Sequence, residues 1–541
     1  MQSTTIPSDS DKLDLRDRDG LFDALEARVF DLAIIGGGIT GAGVARDAAL
    51  RGLSVALIEG RDFASGTSSR SSKMIHGGLR YLAQGDIALV REAASERKIV
   101  QAIAPHLARE TPFVIPARSA GAIARLRAGL WAFEKLGGVP KSRRHQLWSV
   151  ADVKAREPAI DADDLVGAVV YPEYLTNDAR LTLANIRAAT RHGALIVNYA
   201  AAEALVIENG RCVGIEATDR LAGSDGRRAR LRARVIVNAA GPWVDEVRAL
   251  EETGAAPRLA LARGVHLVTP REHLPIERTI IMTAADRRGV FAVPKGAMTY
   301  IGTTDTFHPH ADLWPPITGE DVDYLLATAA ARFRTAPLTR ADVTSAWSGV
   351  RPLVREEGKS ANDISRRDEL WTGPAGVISI AGGKLTAYRR MAQRVVDHVQ
   401  DALKEKRTAC RTADAPLPGG EIAPDVIRAE LLAAGMDDLA AERLMELYGA
   451  EARDIVAAGG GTAAEAAHAV LAEGALTLED YWVRRGALAW FGEGGGLAAL
   501  PAAARAMAPL LGWSPAEETR QIAACQSIHG ADMAALRLGT D

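Results

Sequence analysis

Short apolar runs, broken by glycine and polar clusters, set the pattern of most of this chain. Asp31-Leu-Ala-Ile-Ile35 is the first. A glycine cluster and an Ala-rich stretch from Ala42 to Arg51 follow, and Ser54-Val-Ala-Leu-Ile58 is the second. Runs of this kind predict buried strands, and the stretch between them suits a helix, so the opening reads β–α–β. Strand character returns in pieces at 195–199, 235–238, 264–268, 300–302 and 377–380, separated by helical stretches and irregular loops. An α/β fold is expected, with one set of segments interleaved with a more antiparallel set, and with the pieces near 31 and 380 brought together. Ala415-Pro-Leu-Pro-Gly-Gly420 is a linker by composition. Beyond it, Ala, Leu, Glu and Arg at helical spacing predict a separate helical domain. Residues 1–29 read as a charged, partly helical extension, and no internal repeat is visible.

Composition narrows the classes. At 541 residues the chain exceeds one hydrophobic core. Its net charge of −3 does not suggest a nucleic-acid partner, which calls for a basic excess. The cysteines, Cys212, Cys410 and Cys525, are odd in number and far apart. They form neither a disulfide framework nor a C-x-x-C pair, and a reducing compartment is expected. Residues 1–30 lack an apolar signal core. No stretch reaches the roughly 18 apolar residues of a membrane span, so membrane contact would be peripheral.

Gly36-Gly-Gly-Ile-Thr-Gly41 fits G-x-G-x-x-G, with Gly36, Gly38 and Gly41 in the three places. The first glycine permits the strand-to-helix turn, the second lets the backbone approach a pyrophosphate, and the third lets helix and strand pack closely. The helix N-terminus then offers free N–H groups and partial positive charge to the phosphates. Glu59, at the end of the second strand, stands where a ribose hydroxyl is bound. A chance Gly-rich turn would lack this context. The motif alone does not choose between FAD and NAD. The hydroxyl-rich stretch Arg61–Lys73 favours FAD, because it can donate to a ribityl chain and phosphates; the bland alternative is a solvated loop.

Thr67-Ser-Ser-Arg-Ser-Ser-Lys-Met-Ile-His-Gly-Gly-Leu-Arg-Tyr81 resembles the hallmark of FAD-dependent glycerol-3-phosphate dehydrogenases. Asp178-Ala-Arg-Leu181, Asn238-Ala-Ala-Gly-Pro-Trp243, Ile301-Gly-Thr-Thr-Asp305, Trp347-Ser-Gly-Val-Arg-Pro352, Gly382-Gly-Lys-Leu-Thr386, Leu417-Pro-Gly-Gly420 and Glu479-Asp-Tyr-Trp-Val-Arg-Arg485 follow in the order of that family. It belongs to the glycine-oxidase and D-amino-acid-oxidase class. The departures are the extension over 1–29, Ala240 where Thr is frequent and Ala202 where Val is frequent.

The resemblance implies a Rossmann-type FAD-binding domain from 30–115, 175–245 and 345–398, and an antiparallel-sheet substrate domain from 116–174 and 246–344. A linker over 399–420 and a helical domain over 421–541 complete it. Non-covalent FAD is expected against Gly36, Gly37, Gly38, Ile39, Thr40, Gly41 and Glu59, and against Thr67, Ser68, Ser69, Lys73, His76, Gly77, Gly78 and Leu79. Ala202, Ala240, Gly241, Trp243, Gly383, Lys384, Leu385 and Thr386 complete the set. The implied reaction is oxidation of glycerol 3-phosphate to dihydroxyacetone phosphate by hydride transfer from C2 to flavin N5. Electrons would pass to a membrane quinone at the cytoplasmic face of the inner membrane.

A phosphomonoester dianion calls for fixed cations, preferably Arg, whose planar fork pairs with phosphate oxygens. By resemblance Arg80, Arg351 and Arg366 fill this role, with Tyr81 beside Arg80. An isolated Arg is more often a solvated surface group. His266, in the apolar run Gly264–Val268, is the candidate base, since neutral imidazole accepts a proton near pH 7; a lone strand His is more often structural. Arg351 can share the step electrostatically, and Lys384 can stabilise negative charge beside the reduced ring. His76 is the alternative base, or a brace for its loop. No metal site is expected.

Ile123, Leu126, Leu130 and Phe133 with Arg125, Arg127 and Lys135 suggest an amphipathic helix on an anionic membrane, with Trp131 at headgroup depth. An ordinary core-packed helix has the same pattern. An oxygen-reducing oxidase, an amine or amino-acid oxidase and a non-catalytic flavin-binding scaffold are the competing functions. Capping of the cofactor domain and homodimerisation are the two roles open to the helical tail.

Overall fold

The structure is a computed structural model describing residues 12–77, 87–221, 226–356, 358, 364 and 367–537. Phe30–Ile35 is buried at nearly every position and pairs in parallel with Val55–Ile58 on one side and with Arg228–Asn238 on the other. Strands buried on both faces read as continuous apolar runs rather than alternating ones, which is why these segments are legible in the sequence. Leu195–Val197 extends this sheet in parallel, and Ile378–Gly382 lies beside Arg228–Asn238 on its other side. The pieces near 31 and 380 thus share a sheet, with 228–238 between them.

A second, ten-stranded, largely antiparallel sheet holds Leu259–Pro270, Met298–Gly302, Gly289–Lys295, Thr279–Thr283, Ala108–Ala117 and Gly167–Thr176 in its body. Ser345–Val354 pairs along the whole of Leu259–Val268. The sheets divide the chain differently from the boundaries expected above. Ala108–Ala117 and Ser345–Val354, placed by sequence in the nucleotide part, belong to the second sheet. Their pairing partners are remote in sequence, so local pattern carried no sign of which sheet would take them.

The tail beyond 420 is helical and is fastened to the nucleotide sheet by buried charge. Asp62, in the loop after Val55–Ile58, accepts hydrogen bonds from Arg484 and Arg485, and all three side chains are at most 1% exposed. Arg484 also reaches Asp480 at 2.8 Å, which takes the Tyr199 hydroxyl at 2.7 Å. A second knot joins Arg187 to Glu451 and Arg180 to Glu473. Glu451, His468 and Glu473 bring potential metal-ligand atoms within 4.8 Å of one another. The guanidiniums already neutralise both carboxylates, however, and would repel a cation.

The extension is more than a charged lead-in. Arg18–Glu26 is a helix that buries Phe22 and Leu25, and Leu13 and Leu15 are buried, the Leu13 N–H donating to the Ala472 carbonyl at 3.0 Å. The segment therefore bridges the nucleotide sheet and the helical tail.

Ala120–Leu136 is a helix as expected, but its apolar stripe faces inward. Leu130 and Phe133 are 1% and 3% exposed; Ile123 and Leu126 pack against the same core as Leu130, and Phe133 clusters with Val90 and Ala94. The stripe read as a membrane face is thus core, because the sheet strand Gly167–Thr176 needs cover on that side. Its outward face carries Arg125, Arg127, Lys135 and Trp131, the last 57% exposed. No single helix among the described residues is long and apolar enough to cross a membrane.

Candidate active site

At the end of Phe30–Ile35 the chain turns through Gly36, whose φ is +113°, into the helix Ile39–Leu50. A Cβ on Gly36 would fall 2.6 Å from the Ala239 carbonyl oxygen, and one on Gly41 would fall 2.0 Å from that of Gly36. Both contacts are with backbone, which cannot swing aside. At Gly38 only the Ser68 hydroxyl is near, at 3.2 Å, so the helix N-terminus faces open space there. Glu59 accepts the Gly37 N–H at 2.7 Å and the Arg61 N–H at 2.9 Å, with no cation hydrogen-bonded to it among the described residues. Burial therefore raises its pKa. Its remaining lone pairs suit a donor such as a ribose diol. The donors, the open helix end and the half-buried carboxylate together fit an adenine dinucleotide. Gly41→Ala is expected to yield protein with native far-UV circular dichroism that has lost its yellow chromophore; full FAD content would show that the turn does not hold it.

The hydroxyl-rich stretch is more tied down than its composition suggested. Thr67 Oγ1 donates to the Val350 carbonyl at 2.5 Å, Ser68 Oγ accepts the Ile39 N–H at 2.9 Å, and Ser71 bonds Asp178 at 2.7 Å. Lys73 is spent on Asp178 at 2.8 Å and on the Ser69 carbonyl at 2.7 Å. The stretch is thus a braced shelf between the cradle helix and the strand carrying Arg351, and Asp178 is the anchor. Nothing in local pattern singled out that aspartate, although it stands in one of the recognised blocks.

The two sheets meet at the candidate chemistry. Register pairs His266 with Trp347, Gly264 with Gly349 and Ala262 with Arg351, so these side chains share one face. Gly264 leaves room for the guanidinium, since a Cβ there would lie 2.3 Å from Arg351 Nη2 and displace it. Arg351 donates to Asp305 at 3.0 Å and to Thr303 Oγ1 at 2.9 Å, leaving donors on Nε and Nη2. His266 stacks on Trp347 at 4.6 Å and reaches the Ser72 hydroxyl at 2.9 Å. Burial first, then the charges of Arg351 and Lys73, push its pKa well below the usual imidazole range, so the ring is neutral.

Four residues on from Ser72, His76 lies 3.4 Å from Lys384 Nζ. His76 is held through its backbone, whose N–H and carbonyl both bond the Thr386 hydroxyl. Lys384 precedes the turn Leu385–Ala387 that opens the helix Tyr388–Leu403. The segment Ser72–His76 thus joins His266 at one end to Lys384 at the other. Ala202, Ala240, Gly241 and Trp243 are half-buried, with Trp243 under the Arg61 guanidinium at 5.2 Å. Gly77 is buried, and its N–H donates to Glu173 at 3.0 Å. Gly78, Leu79, Arg80, Tyr81 and Arg366 lie outside the described residues. Sequence reasoning missed Ser72, Trp347, Thr303 and Asp305 as site residues, although all four stand in quoted blocks. A cavity of about 1090 Å³ opens elsewhere, between Pro242, Leu261 and Phe307. It has neither His266 nor Arg351 in its wall, and the convergent polar groups locate the site better than volume does.

The family model for FAD-dependent oxidoreductases matches residues 31–389, and that for the C-terminal domain of alpha-glycerophosphate oxidase matches 410–518. The chain belongs to the FAD-dependent oxidoreductases. Its relatives include the aerobic glycerol-3-phosphate dehydrogenase of Bacillus subtilis, 40% identical over 447 residues and 80% of each chain. That of Staphylococcus epidermidis is 38% identical over 465 residues, 83% of this chain and 81% of that one. The crystal structure of glycerol-3-phosphate dehydrogenase from Bacillus halodurans, complexed with FAD, superposes with a TM-score of 0.80 at 33% identity. It covers 97% of this chain and 99% of that one. Glycine oxidase from Geobacillus kaustophilus, at 21% identity and a TM-score of 0.54, shares the fold. As an FAD-dependent oxidoreductase, the chain has a use for each part of the cradle described above.

Proposed function

We propose that this oxidoreductase converts sn-glycerol 3-phosphate to dihydroxyacetone phosphate and passes the electrons to a membrane quinone. The observation that carries the reading is the shared face of His266 and Arg351, a neutral imidazole and a half-exposed guanidinium on paired strands. The names of the relatives at 38–40% identity support the substrate.

FAD, when bound, supplies the two-electron acceptor chemistry. Arg351, its fork fixed by Asp305 and Thr303, offers its remaining donors to the phosphate or to the alcohol oxygen. Because Asp305 offsets part of its charge, a dianion needs further cations, and Lys384 is one. Arg80 and Arg366 are proposed as the others. His266, kept neutral by its surroundings, is the proposed proton acceptor. Trp347 and Tyr300 wall it from water. Anaerobic glycerol 3-phosphate is expected to bleach the flavin band of the purified protein. Intact FAD without bleaching would reject the activity, and faster bleaching by glycine or proline would favour an amine oxidase. Comparing reoxidation by oxygen with that by a short-chain quinone separates oxidase from dehydrogenase.

Membrane contact is proposed through the outward face of Ala120–Leu136, where Trp131 stands among Arg125, Arg127 and Lys135. Trp131→Ser with Arg125→Glu and Arg127→Glu is expected to abolish flotation with anionic liposomes and leave flavin reduction intact. Unchanged flotation would remove this helix as the anchor.

A further inference from the structure

His266 has one outlet. It is 1% exposed, with Trp347 parallel to one face at 4.6 Å and Tyr300 against its edge at 6.2 Å. Gly302 closes on it so tightly that a Cβ there would fall 2.1 Å from Cδ2. Nδ1 is buried without a hydrogen-bond partner, and Nε2 has Ser72 Oγ at 2.9 Å. Direct proton transfer needs the base within roughly 3.2 Å of the substrate hydroxyl, and a ring with almost no reachable surface is poorly placed for it. Ser72 can, being half-buried. It is also held in place: the Tyr300 hydroxyl donates to its carbonyl at 3.0 Å, and the next residue, Lys73, is locked to Asp178.

We propose that Ser72 is a catalytic residue whose hydroxyl relays the proton of the substrate's C2 alcohol to His266 Nε2. The proposal rests on the alcohol oxidation put forward above and adds the path of its proton. The substrate O–H bond breaks and its proton passes to Ser72 Oγ while the serine's own hydrogen moves to Nε2. Ser72 ends neutral and His266 ends as the imidazolium. The C2–H bond breaks, its hydrogen leaving with the bonding electrons to FAD, the oxidant, and the C2–O bond becomes a carbonyl. Arg351 and Lys73 disfavour a lasting imidazolium, so the proton returns through Ser72 to water once the product has left. This direction requires the resting ring to carry its hydrogen on Nδ1.

The tautomer is the first test. In ¹⁵N-histidine-labelled holoenzyme, with His266 assigned by comparison with His266→Gln, Nδ1 is expected to be the protonated nitrogen. A resting ring protonated at Nε2 overturns the relay. Ser72→Ala is expected to slow anaerobic flavin reduction about 10²-fold, the usual contribution of a positioned proton-transfer group, with little change in KM. Its solvent isotope effect should fall, and Ser72→Thr, which keeps the hydroxyl, should restore most of the rate. Ser72→Ala combined with His266→Gln should be no slower than the slower single variant, because the two act as a unit. Wild-type enzyme that glycerol 3-phosphate does not reduce would sink the underlying reaction. Reduction of Ser72→Ala at the wild-type rate would sink the relay alone. If Ser72→Ala fails to retain FAD, the tautomer in the unsubstituted protein decides.

Discussion

Arg351→Ala is expected to raise KM for glycerol 3-phosphate about 100-fold while the limiting rate of flavin reduction falls far less. Losing one partner of a charge-assisted hydrogen-bonded pair that the bound substrate covers costs about 2–5 kcal/mol, and about 3 kcal/mol corresponds to that factor. The loss should appear in binding because a phosphate carries the same charge in substrate, transition state and product, so its clamp contributes equally to each. Arg351→Lys is expected to recover little, since an ammonium cannot reproduce the fork held by Asp305 and Thr303. His266→Ala should show the converse, a slower reduction with KM nearly kept. Stopped-flow reduction over a range of substrate concentrations measures both terms. An exchange of the two phenotypes would mean that the roles are reversed.

Asp62→Ala is expected to destabilise the protein by about 3–5 kcal/mol, the cost of leaving buried charge without its partner. The carboxylate stands between two guanidiniums that are at most 1% exposed, and neither can reach water without undocking the turn Asp480–Arg485. Because that turn belongs to the helical tail and Asp62 follows the second strand of the nucleotide sheet, the variant should also loosen the tail from the cofactor domain. Denaturant unfolding followed by flavin fluorescence and by far-UV circular dichroism would report both effects. A midpoint within experimental error of wild type would show that the knot adds nothing to stability. Asp62→Asn is a useful companion, because it keeps shape and hydrogen bonding but removes the charge.

The nucleotide cradle was legible in the sequence because its determinants are local. A buried strand, three glycines at set spacing, a helix and an acidic residue after the second strand all lie within Asp31–Glu59, and backbone sterics at Gly36 and Gly41 dictate the residue type. Cofactor class and family followed from blocks whose residues are individually close in the chain. The helical tail was legible for the same reason, as composition and period.

Tertiary structure alone decided the rest. Ser72 and His266, 194 residues apart, meet only because the shelf runs under the second sheet. Asp178 carries no local mark of its role, yet it anchors Ser71 and Lys73. The apolar stripe of Ala120–Leu136 looks the same whether a bilayer or a sheet covers it, and only packing shows that the sheet does. Ser345–Val354 joined the second sheet through a register with Leu259–Val268 that no short segment encodes. Turns, caps and periodicity are settled by near neighbours and so can be read along the chain. Contacts between remote segments are settled by which buried faces and charges find one another in the folded state, and those become visible only there.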